Sequence, residues 1–351
     1  MKITSRPYGK LPGGEAVTEY TLENNLGLSV SVLDYNGAVT SLLVPDKNGE
    51  TVDIVLAHKD INGYVNSPGY FGALVGRNAN RIRNSVLQIG EESYKLTPND
   101  GANHLHGGKN GITGRLFTAE VMTTSSQPVL LLSTKINDME DELPGNITIN
   151  VTYALTNDNS LVIAYRGVSD KDTIINLTNH SYFNMAGHSS GQVLNQTLEL
   201  ASGFYTPGAA DCIPNGEVCS VEGTPFDFRA AKPIGQDIAA DHEQIKMFGG
   251  FDHSFMLDGS GYRRVAEMSD PIGGRVMTVF TDLPCVQLYS ANKLPFEGFE
   301  SKDGASYVNH QGICLETQTT PNAAQMPWLK SPIYAAGQEY ASTTAFKFSA
   351  R

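Results

Sequence analysis

Apolar residues recur at every second position over long stretches of this chain. Leu28, Val30 and Val32 alternate with Ser29 and Ser31, and Asn36-Gly37 then turns the chain before a second segment at 39–44. A period of two places alternate side chains on opposite faces, so this reads as a half-buried strand, a turn and a second strand. Pro45-Asp46-Lys47-Asn48-Gly49 interrupts, and residues 52–56 read as another strand. The clearest hairpin has Ile147, Ile149, Val151, Tyr153 and Leu155 alternating with Thr148, Asn150, Thr152 and Ala154. A polar turn at 156–160 leads into Leu161, Ile163 and Tyr165 on the return strand. Further strands are expected at 174–177, 196–200, 275–281, 286–289, 312–317 and 339–349. Helix signals are poor. Only 234–248 places Ile238, Ala239, Ile245 and Phe248 roughly at helical spacing, enough for one or two short helices.

No helical stretch falls regularly between strands, which disfavours a parallel βαβ sheet. The expectation is an all-β fold: one large antiparallel β-sandwich spanning 1–351 as a single domain, with the loop-rich region 207–251 as its candidate insertion. Sandwiches and barrels do reach a length of 351 residues as one domain. A chain of that size buries a large core without disulfide or metal. The 35 glycines and 17 prolines supply the many turns such a fold needs. At 40% hydrophobic the chain is too apolar to be disordered.

The formal charge of −12 argues against a nucleic-acid partner, since a phosphate backbone is repelled on average. No run of 18 apolar residues exists to span a membrane, and none of signal-peptide length follows the start. The expected location is therefore cytoplasmic, and either a monomer or a homodimer fits. Cys212, Cys219, Cys285 and Cys314 are too scattered for a disulfide framework. Free thiols are the plainer reading, with a Cys212–Cys219 pair across Pro214-Asn215-Gly216 as the alternative.

Four stretches gather polar groups that chemistry can use. Gly76-Arg77-Asn78-Ala79-Asn80-Arg81-Ile82 offers guanidinium and amide donors suited to sugar hydroxyls, or else a capped loop with a surface ion pair. Asn103-His104-Leu105-His106-Gly107-Gly108 puts two histidines at i and i+2, which share a face on a strand. That fits a metal pair, a sugar-binding imidazole or a structural histidine in a Gly-rich turn; no strong metal-motif spacing accompanies it. Leu177-Thr178-Asn179-His180-Ser181-Tyr182-Phe183-Asn184 sets a histidine near the core, as a proton donor or as a structural group. In Gly312-Ile313-Cys314-Leu315-Glu316-Thr317-Gln318 a carboxylate follows mostly apolar residues, where burial is costly unless the group is paired or used. Asp252, in Phe251-Asp252-His253, adds an acid in apolar surroundings. Dinucleotide, Walker A, zincin and Gly-x-Ser-x-Gly signatures are all missing.

In order and over nearly the whole chain, these blocks resemble the aldose 1-epimerase (galactose mutarotase) family: 76–82, Leu105-His106-Gly107-Gly108, 178–184 and Leu315-Glu316-Thr317-Gln318, with Phe251-Asp252-His253 between the last two. The resemblance implies a large β-sandwich with an open cleft that interconverts the α and β anomers of free aldoses. It implies Glu316 as general base and His180 as general acid. It places His106, Arg77, Asn78 and Asp252 at sugar-holding or acid-orienting positions, and Gln287 along the same cleft. Asn184-Met185-Ala186-Gly187, Pro321-Asn322-Ala323 and Tyr289-Ser290-Ala291-Asn292 depart from the usual pattern near the site without removing a proton-transfer group.

Such a reaction demands only an acid and a base, with no cofactor or metal. A neighbouring Asp252 or Glu316 charge is expected to raise the pKa of His180. Three rivals remain: an epimerase of phosphorylated hexoses, a glycoside hydrolase using Asp252 with Glu316, and a non-catalytic sugar-binding protein of the same fold.

Overall fold

Alternation along the chain becomes three antiparallel sheets joined by short two-stranded ribbons. The computed structural model describes residues 2–123 and 127–351. The first sheet is a meander of Lys2–Lys10, Ala16–Glu23, Ser29–Leu33, Val39–Pro45 and Thr51–Asp53, each paired with the next. The largest has nine strands in the order Thr118–Thr123, Pro128–Ile136, Ile147–Leu155, Ser160–Ser169, Glu339–Ala350, Arg275–Thr281, Arg263–Ser269, Thr197–Leu200 and Lys232–Pro233. The third sheet orders Cys219–Ser220, Phe204–Thr206, Asp252–Met256, Cys285–Tyr289 and Cys314–Gln318. One buried cluster draws on all three, with Leu22 and Val30, then Val151 and Phe346, then Phe255 and Leu315. This is the antiparallel β-sandwich that the alternation predicts.

The expected hairpin shows why it forms. Ile147, Ile149, Val151 and Tyr153 are buried while Thr148, Asn150 and Thr152 are half-buried, and Val151 faces Tyr165 across the pair. Each buried aliphatic side chain there stabilises by about 1.5–3 kcal/mol. The Tyr153 hydroxyl donates to the Gly37 carbonyl at 2.7 Å. That bond satisfies the buried phenol and ties the largest sheet to the Asn36-Gly37 turn, where φ is 48° and 57°.

Differences from expectation have local causes. Ser29–Leu33 is buried on both faces, because its polar side joins a hydroxyl network through Thr21, 2.8 Å from Ser31. The strand expected at 174–177 shrinks to Thr173–Ile174. Beyond it, Ile175 donates to Pro332, Asn176 to Arg77 and Leu177 to the Tyr340 hydroxyl, so the backbone serves loops rather than a ladder. Lys2–Lys10 escapes the pattern search because most of its residues are exposed on both sides. Of the helical signal at 234–248, a 3₁₀ turn at Ile234–Gln236 and a helix at Glu243–Phe248 remain. All four cysteines are free, so the Cys212–Cys219 alternative falls. Among the described residues, no helix is long and apolar enough to cross a membrane.

Candidate active site

The third sheet builds one wall. Glu316 lies opposite Gln287, and Gln287 opposite Ser254, so these side chains share a face across three strands. Asp252 lies on the same strand as Ser254, two residues away, and accepts a hydrogen bond from Gln287 Nε2 at 2.7 Å. Glu316 is 2% exposed. Its Oε2 and the Oε1 of Gln287 are buried without a partner, a costly state that an incoming hydroxyl would relieve.

His180 arrives from the other side. Thr178–Asn179 pairs with Leu74–Val75, and the His180 amide donates to Ala73 at 2.9 Å, which fixes the main chain at the histidine. Its ring stacks on Tyr182 at 5.0 Å and 25°. Nε2 stands 3.5 Å from Glu316 Oε1, and Nδ1 stands 3.5 Å from Cys314 Sγ. Acid and base candidates, far apart in sequence, thus meet, close enough to share one small ligand yet beyond a good hydrogen bond to each other.

His106 completes the cluster. The strand His104–Leu105 pairs with Arg81–Ile82, but at His106 φ is +56° and the strand stops. The expected shared face of His104 and His106 is therefore lost: His104 Nδ1 meets the Thr97 carbonyl, outside the cluster. His106 Nδ1 accepts the Asn80 amide hydrogen at 3.2 Å. A nitrogen that accepts carries no proton, so the neutral ring holds its hydrogen on Nε2 and serves as a donor. Gly107, at φ +83°, locks this loop to the first block, since a Cβ there would lie 2.0 Å from the Gly76 carbonyl oxygen.

The first block divides. Arg77 is fully buried and faces the interior, where Nε and Nη2 grip Asp141, the latter at 2.5 Å, and Nη1 reaches the Pro144 carbonyl at 2.8 Å. With its donors spent on the protein, Arg77 has none for a sugar, which corrects the role the resemblance gave it. Asn78 is buried as well, and its main chain bridges to Asn176. Arg81 is the arginine in electrostatic reach of Asp252 and Glu316, with Nε on Asp100 at 2.6 Å.

Burial dominates the electrostatics. It pushes His180 down to about 4 and His106 well below the usual imidazole value, the latter helped by charge on His180 and Arg81. The expectation that a carboxylate neighbour raises His180 is thereby corrected. Burial and the Asp252 charge push Glu316 well above the ordinary carboxylate range, against Arg81. Burial likewise raises Asp252, against Arg81 and Gln287.

Donor atoms of His106, His180 and Glu316 lie within 4.8 Å of one another, a spacing that also suits a metal. The hydrogen bonding of His106 does not fit one. Its Nδ1 is occupied by an N–H donor and its Nε2 carries the proton, leaving no lone pair for a cation.

The family model described as Aldose 1-epimerase matches residues 18–347. This chain belongs to the aldose 1-epimerase family. It is similar to the galactose mutarotase of Mus musculus, 37% identical over 351 residues and 99% of each chain. It is also similar to the aldose 1-epimerase of Escherichia coli strain K12, 34% identical over 343 residues and 97% of each chain. Among solved structures, galactose 1-epimerase from Lactobacillus acidophilus NCFM superposes with a TM-score of 0.88 at 28% identity over 99% of each chain. As a member of the aldose 1-epimerase family the protein is an isomerase. To the expected groups the structure adds Arg81, Cys314 and the ring of Tyr70, which lies 4.7 Å from His106. Arg81 and Cys314 stood inside blocks already singled out; no local signal marked Tyr70.

Proposed function

We propose that this protein interconverts the α and β anomers of free aldohexoses such as glucose and galactose by acid–base ring opening. The observation that carries this reading is the buried approach of His180 Nε2 to Glu316 Oε1 at 3.5 Å, in a family of aldose 1-epimerases. Glu316 as carboxylate takes the O1 proton while the His180 imidazolium gives one to O5, and the C1–O5 bond breaks to leave the open aldehyde. Half a turn about C1–C2 presents the other carbonyl face, and the reverse transfers close the other anomer. No electron is moved, so the chemistry asks for no redox carrier.

The shifts of the two groups set the resting state, from which the reactive charge pair lies uphill. Without sugar, a raised Glu316 and a lowered His180 favour a carboxylic acid beside a neutral imidazole. Passing that one proton from Glu316 to His180 yields the carboxylate and imidazolium the reaction starts from, with no exchange with solvent. His106 Nε2–H, Gln287, Asp252 and Arg81 are the proposed sugar-holding groups; Arg77 and Asn78 support the loop that carries Arg81.

Free sugars fit better than sugar phosphates. Arg81 already faces Asp100 and Asp252, which leaves it little charge to offer a phosphate. Polarimetry with fresh α-glucose, α-galactose and glucose 6-phosphate tests the proposal. Acceleration should be largest for free sugars and should fall about 10²–10⁴-fold in kcat for Glu316→Gln, with KM little changed. Parent-level turnover in that variant would remove Glu316 as the base, and preference for the phosphate would overturn the substrate class.

A further inference from the structure

The strand Cys314–Gln318 touches the His180 ring at both nitrogens. Residues i and i+2 of a strand lie about 7 Å apart on one face, and here they bracket the imidazole, with Cys314 Sγ 3.5 Å from Nδ1 and Glu316 Oε1 3.5 Å from Nε2. Cys314 is fully buried and lies opposite Tyr289 in the sheet, so strand pairing holds its sulfur in place. The same ladder holds Glu316, which makes the two contacts one rigid unit.

We propose that Cys314 is a positioning residue whose sulfur accepts the Nδ1 proton of His180, so that proton gain and loss occur only at Nε2, beside Glu316. This rests on the acid role proposed for His180. The two ring nitrogens compete for the proton of a neutral imidazole, and the partner of one decides the state of the other. With Nδ1–H held on sulfur, Nε2 is bare when the ring is neutral and ready to take the O5 proton back. In the imidazolium both nitrogens are protonated and only Nε2 faces the reacting atoms.

The choice of sulfur has a chemical consequence. A carboxylate at this place would strongly stabilise the imidazolium and weaken it as an acid. A neutral sulfur is a weak acceptor, which orients the ring without adding much to its basicity. Burial and the charges of Glu316 and Asp252 push the Cys314 thiol well above its usual value, so it stays uncharged. The other groups around the ring are His106, Tyr70, Tyr182 and Tyr289, and its own main-chain carbonyl, which also favours a ring proton. Among the described residues around the ring, Cys314 is the one within hydrogen-bonding distance of Nδ1.

Nitrogen NMR of histidine-labelled, sugar-free protein decides the matter, with the His180 signals assigned by their loss in His180→Gln. The neutral ring in the parent should carry its proton on Nδ1. In Cys314→Ala that proton should redistribute toward Nε2, and kcat should fall about tenfold with KM little changed. Cys314→Ser, whose hydroxyl also accepts, should restore the parent tautomer and most of kcat. A parent ring protonated on Nε2, or a Cys314→Ala protein with an unaltered tautomer and kcat, would overturn the role. If the alanine variant fails to fold, the parent and serine spectra still decide. The tautomer is read without sugar, so it stands apart from polarimetry: a parent unable to speed mutarotation would remove the reaction and not the contact.

Discussion

Arg77 and Arg81 occupy one short block and meet opposite fates. Arg77 is sealed against Asp141 with neither side chain exposed, whereas the pair of Arg81 with Asp100 is 10% and 37% exposed. Removing one member of a sealed pair strands the other charge, so Arg77→Ala should cost about 3–5 kcal/mol in denaturant unfolding. Its folded fraction should keep the parent KM. Arg81→Ala should unfold nearly as the parent does, since a part-exposed pair contributes little, yet raise KM severalfold in Michaelis measurements. Nothing in the local sequence distinguishes the two arginines, because what decides is Asp141 and the pairing of Arg81 with Leu105, both distant in the chain. His180 and Glu316 were legible for a different reason. Glu316 follows a mostly apolar run and His180 stands beside aromatic residues, and it is the order of their blocks, resembling the family's, that marks them as base and acid.

At the scale of elements, long half-buried strands announce themselves and short delivering strands do not. The hairpin Ile147–Leu155 with Ser160–Ser169 alternates over its length and was legible. The two-residue pairings that carry His180 and His106 to the site are too brief for any period, and their partners lie elsewhere in the chain. Gly107 is where two such pieces meet. Gly107→Ala combines a left-handed backbone with a methyl 2.0 Å from the Gly76 oxygen. It should destabilise by at least about 1–3 kcal/mol and, by shifting His106, raise KM more than it lowers kcat. Denaturant curves together with kinetics check this; a neutral outcome in both would mean that the loop has slack.

For the whole molecule, buried imidazoles set an acid limit. Burial lowers His58 to about 4, with Asp60 opposing, and His253 to about 3. Each titrates below the value of about 6.5 expected in the unfolded chain. The unfolded state thus gains the proton first, and stability that is full above about pH 6.5 drains away as pH falls toward the folded values. The slope is about 1.4 kcal/mol per pH unit for each such group. Raised carboxylates such as Glu316 and Asp252 act in the opposite sense, so the histidine term is best isolated by substitution. His58 packs against Phe71 at 4.7 Å and Tyr64 at 5.3 Å. His58→Phe should flatten the decline in unfolding free energy between pH 6 and 4.5 by about that slope. An unchanged profile would show that His58 titrates alike in the folded and unfolded states.

The strand Glu339–Ala350 lies between Ser160–Ser169 and Arg275–Thr281, in the interior of the nine-stranded sheet. During synthesis it is made after every neighbour it joins, so until it emerges from the ribosome two open flanks wait with unmet hydrogen bonds. The nascent molecule is then exposed to sticking to other copies of itself, and a nonsense codon shortly before this stretch would release a product with that hazard made permanent.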